Sequence, residues 1–135
     1  MTQPVLLDTH VWVWWMLGDS RLPARERDAL DGLPSGERPA VCDISLWELA
    51  LLVQVGRLRL DDDLAEWLRI AASPATVRVV PIGPAVVVEM TRLPATFHQD
   101  PADRLIVATA RAMGMPLATH DVRIRRSRLA SLWSA

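Results

Sequence analysis

Pro4-Val5-Leu6-Leu7-Asp8-Thr9-His10-Val11-Trp12-Val13-Trp14-Trp15-Met16-Leu17-Gly18 is the stretch that decides the fold. Pro4–Asp8 is an unbroken apolar run that closes on a carboxylate, the pattern of a short strand covered on both faces. Thr9–Leu17 then predicts a helix, with Gly18 just past its end. A buried strand feeding directly into a helix is the first half of a βαβ unit, the building block of a parallel sheet. Asp8 carries a second message, because a carboxylate at the end of a buried strand is costly unless it is paired or bound to a cation.

Working outward, Pro23–Leu30 predicts a second helix, and Leu33-Pro34-Ser35-Gly36-Glu37-Arg38-Pro39 a loop. Ala40–Asp43 predicts a short strand. A helix follows from Leu46 to about Val55, with Leu46, Leu49, Ala50 and Val53 on one stripe and Gly56 as its stop. Asp63 caps a helix in which Leu64, Trp67, Leu68 and Ala71 recur at helical spacing. Val77–Ile82 is a strand, and Gly83-Pro84 opens a helix through Leu93. Asp100 and Pro101 open another through Met113, closed by Gly114, and Met115–Thr119 is the next strand. The tail from Ile124 to Trp133 is expected as a helical turn and an edge strand.

Alternating strands and helices predict an α/β fold, a short and mostly parallel central sheet with helices on both faces. Right-handed crossovers place all strand C-termini on one edge. The 135 residues fit one domain, and the composition of 50% hydrophobic and 23% charged residues is globular rather than disordered. The single Cys42 excludes a disulfide framework and cannot by itself build a thiolate metal site. No apolar run approaches the ~18 residues that span a bilayer, and no leader is visible, so the expectation is a cytoplasmic protein without a membrane partner.

Four acids stand at expected element ends: Asp8 after the first strand, Glu48 and Asp103 in the first turns of helices, and Asp121 after the fourth strand. Singly, each has a structural reading. Ser45-Leu46-Trp47-Glu48 fits a capping box. Asp100-Pro101-Ala102-Asp103 has a capping Asp, Pro at the first helical position and an acid in the first turn. Jointly, an α/β fold gathers all four at one sheet edge. A cluster of carboxylates without Cys or grouped His suits Mg²⁺ or Mn²⁺ rather than zinc, and hard cations act chiefly on phosphates.

The same residues carry a family resemblance. Leu6-Leu7-Asp8-Thr9-His10-Val11-Trp12, Ile44-Ser45-Leu46-Trp47-Glu48-Leu49-Ala50, His98-Gln99-Asp100-Pro101-Ala102-Asp103-Arg104 and Leu117-Ala118-Thr119-His120-Asp121 resemble, in order and spacing, the signature of PIN domains. The likeness is to the VapC-type ribonuclease toxins of bacterial toxin–antitoxin pairs, and it spans the chain as a single PIN domain over 1–135. It implies a Mg²⁺- or Mn²⁺-dependent endoribonuclease in which Asp8, Glu48, Asp103 and Asp121 match the metal-holding catalytic acids. Thr9, Ser45 and Thr119 match flanking hydroxyl positions. Asp100 is an additional acid beside Asp103, read here as the helix cap. The resemblance implies water attack on phosphorus that leaves a 5′-phosphate and a 3′-hydroxyl, with one metal held tightly and a second recruited by substrate. It also implies an RNA substrate, with tRNA as a family-level guess, a cognate antitoxin and a homodimer.

All 15 basic residues are Arg, which reflects either the phosphate-matching fork of the guanidinium or genomic base composition. Arg104, Arg123, Arg125 and Arg126 are candidate RNA contacts, with a solvated face as the alternative. His10, His98 and His120 all neighbour the key acids, and none is assigned a role as general base. Val11–Leu17 and much of Leu46–Val55 are apolar around the whole helix, which predicts an interface for a second copy or an antitoxin. Two other readings compete. A catalytically silent RNA-binding or interaction module would have a broken acid set, and a haloacid-dehalogenase-type phosphatase would need an Asp where His10 stands.

Overall fold

Four short parallel strands form one sheet; three are wholly buried and apolar, and one, at an edge, carries an exposed Arg. The computed structural model describes residues 3–135. Its strands are β1 (Leu6–Leu7), β2 (Ala40–Cys42), β3 (Arg78–Val80) and β4 (Leu117–Ala118), in the spatial order β3-β2-β1-β4. Leu6 registers with Ala40 on one side and Leu117 on the other, and Leu7 with Val41 and Ala118. The expected mostly parallel sheet is parallel throughout its four strands.

The helices are α1 (Thr9–Leu17), α2 (Ala24–Asp31), α3 (Ile44–Gln54), α4 (Leu64–Ala71), α5 (Pro84–Thr91), α6 (Pro101–Met113) and α7 (Val122–Ser127). Strand side chains alternate between two cores. Leu6, Ala40, Cys42 and Leu117 face a cluster with Val86 of α5, Ile106 and Val107 of α6 and Ile124 of α7. Leu7, Val41 and Ala118 face the other cluster, with Val11 and Trp12 of α1, Leu30 of α2, Leu49 of α3 and Trp67 of α4. Period-two alternation into two apolar layers is the physical reason these strands read as continuous hydrophobic runs.

Trp12 anchors the second core. It is fully buried, its ring meets that of Trp67 edge-on at 5.5 Å, and its Nε1–H donates to the Ala71 carbonyl at 3.1 Å. Truncating it to Ala would cost about 3–5 kcal/mol. Gly18 and Gly114 end α1 and α6 in the left-handed conformation, each at φ 65°. A Cβ would strain that backbone, which is why both helices stop where the glycines predict.

Several boundaries differ from expectation. α3 starts at Ile44, two residues earlier than its apolar stripe suggested, because Asp43 turns the chain directly out of β2. Ser45 is therefore a buried second residue of α3 rather than its cap, and the capping-box reading of Ser45 and Glu48 is overturned. The strands are shorter than the apolar runs, since parallel pairing covers only part of each. The tail forms α7 and then returns along the sheet, where Leu132 bridges β4 in parallel.

Candidate metal centre

The strand order places a topological switch at β1. The chain steps outward from β1 to β2 and β3, then returns to the opposite side of β1 with β4. In open parallel sheets the crevice beyond the strand C-termini at such a point is the natural ligand site. Asp8 directly follows β1 and Asp121 follows β4 by three residues. They meet Glu48 and Asp103 in a cleft of about 570 Å³, lined also by Trp14, Leu52 and Asp100.

Asp8 is the deepest of these acids, with 5% of its surface exposed. It caps α1, its Oδ1 accepting the Val11 amide at 2.8 Å. Burial pushes its pKa up. The Thr119 hydroxyl, the Val11 amide and His10 oppose that rise, while the Glu48 charge adds to it. Beside it, Thr9 Oγ1 donates to Ser45 Oγ at 2.8 Å, a buried bond between the first turns of α1 and α3. Thr119 Oγ1 accepts from the Asp121 amide at 3.1 Å. Thr9, Ser45 and Thr119 are thus internal struts around the acids.

Glu48 is the fifth residue of α3, beyond the expected first turn. Helical side chains lean toward the N-terminus, so its carboxyl still reaches back to the sheet edge. Asp103 lies in the first turn of α6, whose cap is Asp100; Asp100 Oδ1 accepts the Asp103 amide at 3.0 Å. Capping does not remove Asp100 from the site, because one carboxylate oxygen each from Glu48, Asp100 and Asp103 lies within 4.8 Å of the others. Asp121 caps α7, with Oδ1 accepting the Ile124 amide at 2.9 Å. Capping and cleft membership coexist in Asp8, Asp100 and Asp121.

Asp103 is the electrostatic centre. Its pKa is raised to about 7, first by burial and then by the charges of Asp100, Asp121, Glu48 and Asp8. A half-buried carboxyl whose ionisation is opposed by four neighbouring carboxylates marks a site that lacks positive charge. All are oxygen donors, the chemistry that Mg²⁺ and Mn²⁺ take, and Asp103 alone participates in two separate groupings of three potential ligands. The residues present therefore fit a divalent cation. Asp8 belongs to neither grouping, although it lines the same cleft.

The candidate RNA-contacting arginines separate. Arg123 is exposed and lines the cleft, while Arg126 joins it around an adjoining groove. Arg104 is turned inward, its Nη1 donating to the carbonyls of Phe97 at 2.9 Å and His98 at 3.2 Å. Arg125 Nη1 donates to the Thr119 carbonyl at 2.9 Å. Both hold the loops that carry the acids. Arg21 and Arg57, which sequence reading did not single out, also line the cleft. Each lies just past a helix C-terminus, and no local pattern distinguishes it from an ordinary surface arginine. Of the histidines, His10 and His120 flank Trp14 with ring centroids at 6.0 Å, and His120 Nε2 pairs with Glu26 at 2.9 Å. His98 faces Asp103 at 3.2 Å.

A second surface stands apart from the cleft. Trp47 and Leu51 of α3 and Val55, its C-terminal cap, follow one another at four-residue spacing and remain 51%, 37% and 65% exposed. Among the described residues, no helix is long and apolar enough to cross a membrane.

Comparison with known proteins bears on the family and the fold. The family model of the PIN domain matches residues 5–128. Ribonuclease VapC22 of Mycobacterium tuberculosis (strain ATCC 25618 / H37Rv) is 40% identical over 124 residues, which is 92% of this chain and 92% of that protein. The crystal structure of VapBC2 from Rickettsia felis, bound to a DNA fragment from their promoter, superposes with a TM-score of 0.72 at 18% identity, covering 97% of this chain and 98% of that one. FitAcB from Neisseria gonorrhoeae gives a TM-score of 0.67 at 22% identity, covering 96% of each chain. At those identities the structural likeness speaks for the fold alone.

Proposed function

The chain belongs to the PIN-domain family, in its VapC-type branch, and from that footing we propose that it is a metal-dependent endoribonuclease. In this reading it hydrolyses RNA phosphodiester bonds and is the toxin of a toxin–antitoxin pair. The observation that carries the reading is the convergence of Asp8, Glu48, Asp103 and Asp121, from four separate elements, on one cleft at the switch point of the sheet. The printed activity of the 40%-identical ribonuclease supports the choice of RNA.

Asp8, Glu48, Asp103 and Asp121 would hold Mg²⁺ or Mn²⁺, with Asp100 as an accessory. Such an ion lowers the pKa of a bound water, polarises the scissile phosphate and screens the leaving oxygen. The chain itself supplies the placement. Asp103, whose pKa is raised to about 7, would have to be deprotonated to hold the ion, which would tie occupancy to pH. Thr9, Ser45 and Thr119 fix the loops and helix starts from which the acids project. Arg57 and Arg123 offer guanidinium groups to phosphates along the cleft, whereas that of Arg21 is paired with Asp19 at 2.8 Å.

The apolar stripe Trp47-Leu51-Val55 suits a protein partner, because an exposed aromatic and aliphatic row on a helix marks an interaction surface. Structural neighbours solved as toxin–antitoxin assemblies support an antitoxin partner, which we place on this stripe, and a homodimer is the second occupant we propose. With both, the protein acts in the cytoplasm.

The test is induced expression with and without the neighbouring small gene product, paired with incubation of total RNA and purified protein. Growth arrest relieved by that partner, and RNA cleavage lost in Asp8→Asn, support the reading. Intact RNA with Mg²⁺ and with Mn²⁺ contradicts it.

A further inference from the structure

His98 Nε2 is a buried nitrogen without a hydrogen-bond partner. Its neighbour is Asp103 Oδ2 at 3.2 Å, close enough to count as an ion pair but not aligned as a hydrogen bond. A buried polar atom left unmatched costs about 1–3 kcal/mol, so folded proteins rarely leave one without a purpose. The side chain retains 13% exposure, on the groove it shares with Phe97 and Arg126, while Nε2 itself is turned inward.

The loop around it is fixed rather than loose. Arg104 Nη1 bonds the carbonyls of both Phe97 and His98, and Gln99 Nε2 bonds those of Ala95 and Phe97. The Phe97 ring packs edge-on against the imidazole at 4.7 Å. His98 is therefore held toward the carboxyls by contacts that do not involve them.

The spacing points to a shared cation. One ligand atom each from His98, Asp103 and Asp121 lies within 4.8 Å of the other two. Adjacent ligands of an octahedral ion, at bond lengths near 2.1 Å, stand about 3 Å apart. The 3.2 Å between Nε2 and Oδ2 matches that separation. The other grouping, Glu48, Asp100 and Asp103, is all oxygen. Asp103 thus sits between two unlike positions, one of hard oxygens and one with an imidazole nitrogen.

We propose that His98 is a metal ligand of this site and that the His98–Asp103–Asp121 position selects a first-row transition-metal ion such as Mn²⁺ over Mg²⁺. The proposal rests on the carboxylate-site reading above. Imidazole nitrogen raises affinity for transition ions, whereas Mg²⁺ favours oxygen and water and binds the oxygen grouping instead. Mg²⁺ and Mn²⁺ are then not interchangeable for this chain.

The test is Mn²⁺ titration of the full chain followed by electron paramagnetic resonance, with pulsed detection of nitrogen coupled to the bound ion. A directly coordinated ¹⁴N is expected, replaced by ¹⁵N coupling when histidine alone is isotopically labelled, a readout that needs no substitution. In His98→Gln the coupling disappears and Mn²⁺ affinity falls by roughly tenfold or more, while Mg²⁺ affinity changes little. His10→Gln and His120→Gln retain the coupling. Bound Mn²⁺ without nitrogen coupling overturns the His98 assignment and leaves the carboxylate site standing. A native chain that binds neither ion overturns both.

Discussion

Thr9 Oγ1 and Ser45 Oγ are joined by a buried 2.8 Å hydrogen bond that links two helices through residues 36 positions apart. Thr9 follows Asp8, and Ser45 lies one turn before Glu48, so this bond sets the distance between two of the clustered acids. Removing one hydroxyl leaves the other buried without its partner. Ser45→Ala is expected to lower stability by about 1–3 kcal/mol, and the Thr9→Val, Ser45→Ala pair to cost less than the sum of the single changes. Denaturant unfolding of the four proteins measures this. Additive effects would show that the bond does not couple α1 to α3.

Asp103 gives the metal-free protein a defined response to pH. Its folded pKa of about 7 lies above the value near 4 of an unfolded Asp. Between those values the folded state binds more protons than the unfolded one, so this group lowers stability as pH rises from about 4 to about 7. Asp103→Asn removes the term. The metal-free variant is expected to exceed the native chain by about 1–2 kcal/mol at pH 8, after allowance for solvent screening, and to match it near pH 4. Thermal melts in chelator across that range test the sign; a variant less stable at pH 8 than at pH 4, relative to native, contradicts it.

How much of this was legible in the sequence depends on the interaction involved. The sheet and α1 were readable because Pro4–Asp8 and Thr9–Leu17 announce burial and helix by composition and stops alone. The gathering of the acids was readable too, since an α/β topology brings strand ends to one edge. The role of Ser45 was not, because a Ser three residues before a Glu looks like a cap until β2 is seen to turn directly into α3. Arg104 was misleading for a similar reason. Beside Asp103 in sequence it suggests a phosphate contact, yet its guanidinium bonds carbonyls six and seven residues upstream. Arg21 and Arg57 reach the cleft through tertiary placement, which local pattern does not encode.

Arg123 is the tail arginine with direct access to the cleft. If it meets a phosphate, Arg123→Ala should weaken binding of uncleaved RNA to an Asp8→Asn background and reduce the slope of log affinity against log salt by about 0.7. Arg125→Ala, which loses a bond to the Thr119 carbonyl, should instead lower stability. Fluorescence anisotropy at several salt concentrations separates the two. An unchanged slope in Arg123→Ala would remove that residue from the RNA path.

Trp47 stands at the head of the exposed stripe of α3 and contributes little to the core. Trp47→Asp should therefore leave the melting temperature nearly unchanged while weakening partner binding by at least about 2 kcal/mol, or roughly 30-fold, the loss expected of an interface anchor. Titration with the neighbouring gene product, together with sedimentation of the chain alone, distinguishes antitoxin from self-association. Loss of neither would place the partner surface elsewhere.

The most direct test of the central claim is the rate at which the purified full chain cleaves end-labelled RNA as Mn²⁺ is raised from a chelated start, beside Asp103→Asn. No cleavage is expected in chelator, with a rate that saturates as the ion is added and a loss on the order of 100-fold or more in Asp103→Asn. Cleavage that persists in chelator and survives the Asp103→Asn change would contradict it.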